Sequence, residues 1–507
     1  MSTTNARMPS LLLLSVFAVA TCGLIYELIA GTLASYLLGD SVTQFSTVIG
    51  VYLFSMGIGS YLSKFLSRNL LAWFIQIEIL VGLIGGTSSS ILFLLFDVVE
   101  SFRVLLYLLI SLTGILVGLE IPLLMRILDT QQFAFKEIVS KVFTFDYIGA
   151  LLASIIFPLI LVPYLGLIRT SYFFGMLNVI VAWVMCVQYK GTFKWASYLQ
   201  FSALAVLLFL LGGFVFSEKI QSFAETLAYH EKIIFTKSSP YQRIVLTRNN
   251  QDIRLYLNGN LQFSSLDEYR YHEALVHPGL QSLPKAANVL VLGGGDGLAV
   301  REILKHPSVQ QITLVDLDRE MTGLFTRNPI LSGLNQQALR SPKLKIIHAD
   351  AFQWIKNCRQ QFDFIVIDFP DPSSYSIGKL YTNTFYRLLH SILADQGVAV
   401  VQSTSPFVAP QSFWCVDNTL QSVGFQTLPY HTYVPSFGDW GYVMAFKGHF
   451  QPAQQYLPSL RFVNAESFDQ MRHFPKDMQR VNTEVNRLNN QLLVHYFEAE
   501  WGRVSAP

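Results

Sequence analysis

Glycines and carboxylates cluster where apolar runs of this chain give way to polar residues. The run Ala287 to Leu292 breaks into Gly293-Gly294-Gly295-Asp296-Gly297 and is followed by a helical stretch, Leu298–Lys305. A second run, Gln311–Leu317, carries Asp316-Leu317-Asp318 at its end. A third, Leu344–Ile347, leads to His348-Ala349-Asp350, and a fourth, Phe362–Ile367, leads into Asp368-Phe369-Pro370-Asp371-Pro372. A glycine loop between strand and helix lets backbone approach a nucleotide closely, and an acid about 20 residues on holds ribose hydroxyls. Asp316 lies 23 residues after Gly293. Tight turns use glycine for positive φ in any case, so the loop alone is weak. Four such motifs at the ends of successive strands form a stronger signal.

Charge narrows the ligand. Asp296 inside the glycine loop repels a pyrophosphate, so adenosine carried on a sulfonium fits better than a dinucleotide. S-adenosylmethionine ends in a carboxylate that Asp296 and Asp368 would repel. Decarboxylated S-adenosylmethionine ends in an aminopropyl ammonium, which they suit. The structural alternative for Asp296 is a charge at a helix N-terminus. For Asp368 and Asp371 it is an Asp-Pro turn. Two acids flanking Phe369-Pro370 at a strand end favour an active site.

These side chains need a scaffold. Val398–Gln402 and the pair around Phe425–Tyr433 and Trp440–Phe446 bring the strands to about seven. The alternation of strands and helices predicts a doubly wound α/β domain, which binds ligands beyond the carboxyl ends of its strands. Before it, residues 233–262 alternate apolar and polar around the turn Asn249-Asn250-Gln251-Asp252 and predict a small antiparallel hairpin region.

Tyr241-Gln242, Leu257-Asn258-Gly259-Asn260-Leu261-Gln262, Asp267–Glu273, Gly293–Gly297 and Asp368–Pro372 follow one another as in spermidine synthases, the polyamine aminopropyltransferases. From about Ile233 to Phe446 the chain resembles that family, and as a whole it resembles the family's membrane-anchored bacterial branch. The resemblance implies a Rossmann-like (class I methyltransferase-like) α/β domain with a small N-terminal β-hairpin subdomain. It implies transfer of the aminopropyl group of decarboxylated S-adenosylmethionine, a co-substrate, to putrescine, giving spermidine and methylthioadenosine. No prosthetic group and no metal is implied. Gln242, Gln262, Asp296, Asp316, Asp350 and Ala351 would contact the donor. Tyr271, Asp371 and Trp440 would hold the acceptor, Asp368 would act as general base, and Tyr375–Leu380 would form a gate. The family also implies a homo-oligomer, a dimer or tetramer. Alternatives are an S-adenosylmethionine-dependent methyltransferase on the same fold, or a non-catalytic membrane polyamine sensor or transporter.

Departures from the family pattern are Asn258 in place of an acid, Phe369-Pro370 in place of serines, and Asp316 in place of Glu. Asp316 keeps the ribose contact, while Phe369-Pro370 stiffens the loop between the key acids and bears on acceptor length. His272 and His277 are assigned structural roles.

The composition is split. Charged residues make up 14% of the 507 residues, against roughly 25% in soluble domains, and the net charge of +2 excludes a global basic face for nucleic acid. Only 19 of the 70 charges fall within residues 1–217, while all ten histidines lie from His230 onward. Seven apolar segments, near 10–30, 45–63, 70–96, 104–125, 147–166, 170–189 and 197–216, are long enough to span a bilayer. The expected domains are thus a multi-pass α-helical membrane domain (1–217), a linker and small β region (218–262), the transferase domain (263–450) and a helical tail (451–507). Pro475–Trp501 reads as an amphipathic helix packed on the domain.

Arg7, Lys64, Arg68, Arg126, Lys136, Lys141, Lys190 and Lys194 outnumber Arg103 and Arg169 in the alternate loops, favouring a cytoplasmic amino terminus. With seven spans that places the soluble half outside. The substrates are cytoplasmic metabolites and demand the opposite, so a catalytic domain on the cytoplasmic face of a bacterial inner membrane is expected. Glu27 and Glu120 are read equally as members of a polar path or of helix pairs. Glu78 and Asp146 are read as paired or interfacial. Gly57-Ile58-Gly59-Ser60 and the Gly114/Gly118 pair predict close helix packing. Cys22, Cys186, Cys358 and Cys415 show no close spacing, which fits a reduced compartment.

Overall fold

A computed structural model describes residues 7–504 except 39–40, 97–98, 100–101, 130–134, 190, 192–194, 230 and 240. Lys190 and Lys194, used above for orientation, lie outside the described residues. The chain forms two compact units, Met1–Glu231 and Lys232–Pro507. The charge-density change at residue 217 precedes this division because the last helix of the first unit carries Glu218 and Lys219 and continues to Ala228.

The first unit is helical: α1 (Arg7–Leu38), α2 (Ser41–Leu62), α3 (Leu70–Leu95), α4 (Phe102–Asp129), α5 (Phe135–Ile156), α6 (Gly166–Gln188) and α7 (Ala196–Ala228). Among the described residues, six stretches are long and apolar enough to cross a membrane, because α5, a π-helical turn (Phe157–Leu165) and α6 join into one stretch of 53 residues. At 1.5 Å per residue, that is about 80 Å, enough for two passes of a ~30 Å layer. Within it Gly166 breaks the helical path at φ +73°. A Cβ on Gly118 would lie 2.2 Å from the Met56 carbonyl oxygen, and one on Gly59 would lie 2.0 Å from that of Ile115. The expected close packing therefore joins α2 to α4, whereas Gly57 faces open space. Glu78 on α3 and Glu120 on α4 are fully buried.

The second unit opens with four antiparallel strands in sequential order: β1 (Lys232–Ser238), β2 (Arg243–Asn249), β3 (Asp252–Leu257) and β4 (Asn260–Ser264). The predicted hairpin region is thus a complete small sheet. Its Asn258-Gly259 turn has φ of +51° and +85°, which suits this dipeptide in a two-residue hairpin loop. The Asn258 Oδ1 also accepts from the Arg243 N–H at 2.9 Å. The acid expected there by family pattern is replaced by a turn-forming residue.

There follow α8 (Glu268–Leu280), β5 (Asn288–Gly293), α9 (Leu298–Leu304), β6 (Gln311–Asp316), α10 (Arg319–Arg327), α11 (Pro329–Leu334), β7 (Leu344–His348), α12 (Ala351–Asn357) and β8 (Phe362–Asp368). Then come α13 (Tyr375–Gly378), α14 (Asn383–Ile392), β9 (Leu393–Gln402), α15 (Pro410–Gln421), β10 (Gln426–Val434), β11 (Gly438–Phe446), α16 (Ala465–Met471) and α17 (Leu492–Val504). Seven strands form one sheet in the order β10-β11-β9-β8-β5-β6-β7. The five strands β5 to β9 are parallel, with β7 at one edge, and β10 and β11 add an antiparallel pair at the other. Val289, Val291, Phe364 and Val366 pack on one face, and Leu290, Leu292, Ile365 and Ile367 on the other. Burial on both faces explains the unbroken apolar runs. Strand order reverses between β5 and β8, so the ligand crevice opens at their carboxyl ends.

The tail departs from expectation. Of Pro475–Trp501, only a short 3-10 turn (Lys476–Met478) and the part within α17 are helical. The rest runs over the domain, where Asn418 Nδ2 donates to Thr483 Oγ1 at 2.6 Å and the Asn486 N–H donates to Thr419 Oγ1 at 3.0 Å. Side-chain partners there satisfy backbone groups that a helix would otherwise pair internally.

Candidate active site

The turn from β5 to α9 is built of glycines because nothing larger fits. Gly293, Gly294 and Gly297 have φ of +81°, +65° and +77°. A Cβ on Gly293 would lie 2.2 Å from the Asp368 carbonyl oxygen, and one on Gly295 would lie 2.7 Å from Asp316 Oδ2. Register places Gly293 beside Asp368 on the parallel neighbour. The loop thus presses against the carboxylates that end β6 and β8. Asp296 Oδ1 accepts the Leu298 N–H at 2.9 Å, which places its charge at the start of α9.

Burial raises these acids. Asp296 is pushed up to about 6 by burial, opposed by the charge of His272 and reinforced by that of Asp368. Asp316 is also pushed up to about 6 by burial, with backbone N–H groups of Asp318 and Gly295 pulling it down. Asp368 is raised by burial too, against the charge of His272 and a hydrogen bond from Tyr271. The Tyr271 hydroxyl, 9% exposed on α8, donates to Asp368 Oδ1 at 2.6 Å. His272 is held protonated: burial opposes the charge, but Glu268 Oε2 lies 2.8 Å from Nδ1, and its titration rises to about 9. Arg301 clamps Glu268 with two bonds of 2.8 and 2.9 Å. His277 joins the same buried ionic chain through Glu302 at 2.8 Å. Both histidines therefore brace α8 and α9, and His272 also offsets the negative charge of the site.

Asp371 lies one short loop beyond Asp368. Burial pushes it up to about 7, and hydrogen bonds from Gln402 and Thr404 pull it back. Gln402, the last residue of β9, turns Nε2 toward the Tyr381 hydroxyl at 3.0 Å and Asp371 Oδ1 at 3.4 Å. Its Oε1 accepts from Trp440 Nε1 at 3.2 Å, which fixes the amide's orientation, since an indole N–H only donates. Phe369 is buried against Tyr381 and Phe385, so the loop between the two acids is held by packing.

The structure therefore brings together Asp296, Asp316, Asp368, Tyr271, Asp371 and Trp440. Gln242 stands at the rim, where Nε2 donates to Asp318 Oδ2 at 2.8 Å. Asp350 caps α12 through the Gln353 N–H at 3.1 Å and pairs with Lys379 at 2.6 Å, which links the next strand end to the gate segment. Ala351 is buried beside it at the start of α12. Gln262 is not brought in: its amide turns back to the carbonyls of Asn260 and Leu261 at 3.2 and 3.5 Å. Sequence reasoning missed Gln402, Thr404 and Tyr381. Gln402 was within reach, because it ends a strand as Asp316 and Asp368 do; the other two lie in turns with no motif. Among the described residues, no group of three His, Cys, Asp or Glu side chains is placed to hold a metal ion.

A crowded set of half-buried carboxylates with one hydroxyl donor attracts cations and accepts protons. Comparison with known proteins agrees. Residues 268–454 match the spermine/spermidine synthase domain. The chain is 51% identical to polyamine aminopropyltransferase 2 of Ralstonia nicotianae, covering 97% of this chain and 98% of that one. It is 50% identical to the polyamine aminopropyltransferase of Leptospira interrogans, covering 98% and 100%. It is 40% identical to polyamine aminopropyltransferase 1 of Streptomyces coelicolor, covering 97% and 94%. With the acidic crevice at the β5/β8 switch point and likeness along nearly its whole length, this chain belongs to the polyamine aminopropyltransferases.

Proposed function

We propose that this aminopropyltransferase uses decarboxylated S-adenosylmethionine as donor and putrescine as acceptor, releasing spermidine and methylthioadenosine. The observation that carries the reading is Asp368, half-buried at the end of β8, bonded to Tyr271 and facing the glycine loop, with Asp371 one loop away. Asp316 takes the ribose hydroxyls, while Gln242, Asp350 and Ala351 complete the donor site. Asp296 faces the donor's aminopropyl ammonium. Asp371 and Trp440 hold the far end of the diamine, and Tyr271 and Asp368 hold the attacking amine. That nitrogen must be neutral to attack. As the new N–C bond forms, the C–S bond breaks, its electron pair stays on sulfur, and the proton leaves nitrogen for Asp368. Aligning two cationic substrates against acidic walls supplies proximity and lessens their repulsion.

The helical unit is read as a membrane anchor. Phe54, Leu108, Leu159, Phe201 and Phe209 stand exposed on its outer surface, where lipid and not water is the fitting solvent. The catalytic unit then lies on the cytoplasmic face of a bacterial inner membrane, where both substrates are made.

Purified protein should release methylthioadenosine from decarboxylated S-adenosylmethionine only when putrescine is added. Asp368→Asn should lower kcat by about 10²–10⁴-fold. Turnover with S-adenosylmethionine in place of the decarboxylated donor would overturn the reading.

A further inference from the structure

The gate segment touches both ends of the site through one short turn. After α13, Lys379–Tyr381 forms a 3-10 turn. Its first residue reaches the donor end, where Lys379 Nζ donates to Asp350 Oδ2 at 2.6 Å. Its last residue reaches the acceptor end. The Tyr381 hydroxyl accepts from Gln402 Nε2 at 3.0 Å and donates between the carbonyls of Phe369 and Pro370, at 3.3 and 3.1 Å. Those carbonyls lie on the loop between Asp368 and Asp371. The turn is closed by Thr382, whose hydroxyl donates to the Lys379 carbonyl at 2.8 Å. From outside, Asn486 Nδ2 donates to the carbonyls of Gly378 and Tyr381 at 3.3 and 3.1 Å. A Cβ on Gly378 would lie 2.5 Å from Val494 Cγ2, so the turn is packed tightly on the tail. Braced in this way, it moves as one piece.

Charge distinguishes the two ends. Asp350 is paired with Lys379, and among the described residues no Lys or Arg forms an ion pair with Asp296, Asp316, Asp368 or Asp371. The donor has the same asymmetry: its sulfonium and aminopropyl ammonium are cationic, whereas its adenine is neutral and offers an amino N–H. Asp350 Oδ1 accepts the Gln353 N–H at 3.1 Å and Oδ2 accepts from Lys379. Each carboxylate oxygen has two acceptor sites, so one amino N–H of a base can still be taken. Burial raises the titration of Asp350, but Lys379 and backbone N–H groups at the start of α12 outweigh it and hold the carboxylate below its ordinary value.

We propose that Lys379 is a positioning residue for the donor's purine: it aims the Asp350 carboxylate at the base, and through the turn to Tyr381 it ties that end of the site to the acceptor loop. The proposal deepens the aminopropyl-transfer reading and rests on it. An isolated, partly exposed ion pair contributes little. This one neutralises the acid that meets a neutral base, and it anchors the turn that holds the acceptor loop. Without the ammonium, Asp350 still caps α12 but loses the partner that fixes Oδ2, and the turn loses its hold at the donor end. Donor affinity falls, and acceptor affinity falls with it through Tyr381.

The test is steady-state kinetics of the full chain in detergent, with donor and acceptor varied separately at about 0.05 and about 0.5 M NaCl. Lys379→Met keeps the stem and removes the ammonium. It should raise the donor KM by about 3–10-fold and the acceptor KM by about 2–4-fold, with kcat within about twofold of wild type. Lys379→Arg should bring the donor KM back to within about twofold of wild type. Salt screens a partly exposed ion pair, so the donor KM should rise with salt by about 2–3-fold more in wild type than in Lys379→Met. Tyr381→Phe keeps the ion pair and removes the far contact, so it should raise the acceptor KM alone. Lys356→Met removes an exposed lysine from α12 and should keep the wild-type values. An unchanged donor KM in Lys379→Met, or failure of Lys379→Arg to restore it, defeats the inference. A loss confined to kcat, or equal salt dependence in wild type and Lys379→Met, defeats it too. Absence of diamine-dependent turnover in the wild type would instead defeat the underlying reading.

Discussion

Asp371, Asp296 and Asp316 serve two opposed demands. Burial holds them up to about 7, 6 and 6, so the fold disfavours their charged forms, while the cationic substrates proposed for this site require those forms. For acids with raised titration, the stability contribution is fully present below their unfolded value and is lost as pH rises through the folded one. Their own contribution to the ligand-free fold therefore declines between about pH 4 and pH 7. Activity runs the other way and should fall as pH drops through 7 toward 6. Asp371→Asn should raise the acceptor KM at least tenfold and yet stabilise the ligand-free protein by about 1–3 kcal/mol, read as a higher Tm. An unchanged or lower Tm would show that the carboxylate is already well solvated. The acids themselves were legible as residues at strand ends. Their partners were not: Gln402 meets Asp371, and Tyr381 meets the loop that carries it, only through the fold.

At the scale of elements, the β5–α9 turn shows how one glycine differs from another. Gly293→Ala puts a methyl group 2.2 Å from a backbone carbonyl at positive φ, and it should cost about 2–4 kcal/mol by denaturant unfolding. Displacement of Asp368 should reduce activity at least a hundredfold. Gly259→Ala meets open space and carries only the cost of φ +85°, about 1 kcal/mol. Equal losses at the two sites would show that backbone conformation, and not contact with β8, sets the penalty. Glycine clustering between strand and helix was readable in advance, as was Asn-Gly at a hairpin. Residues 479–491 were misread as helix because apolar spacing is blind to hydrogen-bond partners elsewhere. Cys415, Asn418 and Thr419 on α15 bond the residues of that segment and hold them extended.

At the scale of the whole molecule, two compositions share one chain, and the sparse charges of residues 1–217 set the first apart. If the helical unit spans a bilayer, washing membranes with alkaline carbonate should leave the full chain in the pellet, and release to the supernatant would count against it. In right-side-out vesicles the carboxyl-terminal unit should resist added protease under the proposed cytoplasmic orientation; cleavage would restore the orientation favoured by the loop charges. Hydrophobic periodicity, glycine placement and acids at strand ends are local properties, so the sequence by itself determined two regimes, a doubly wound sheet and the edge where its ligand binds. Tertiary structure alone decided which side chains meet there. It turned Gln262 back on its own strand, set His272 on Glu268 as a buried cation, and carried Trp501 to Thr404 across 97 residues of chain. Such contacts join residues far apart in sequence, and no local pattern encodes them; burial by the assembled fold then sets the charge state of the acids they surround.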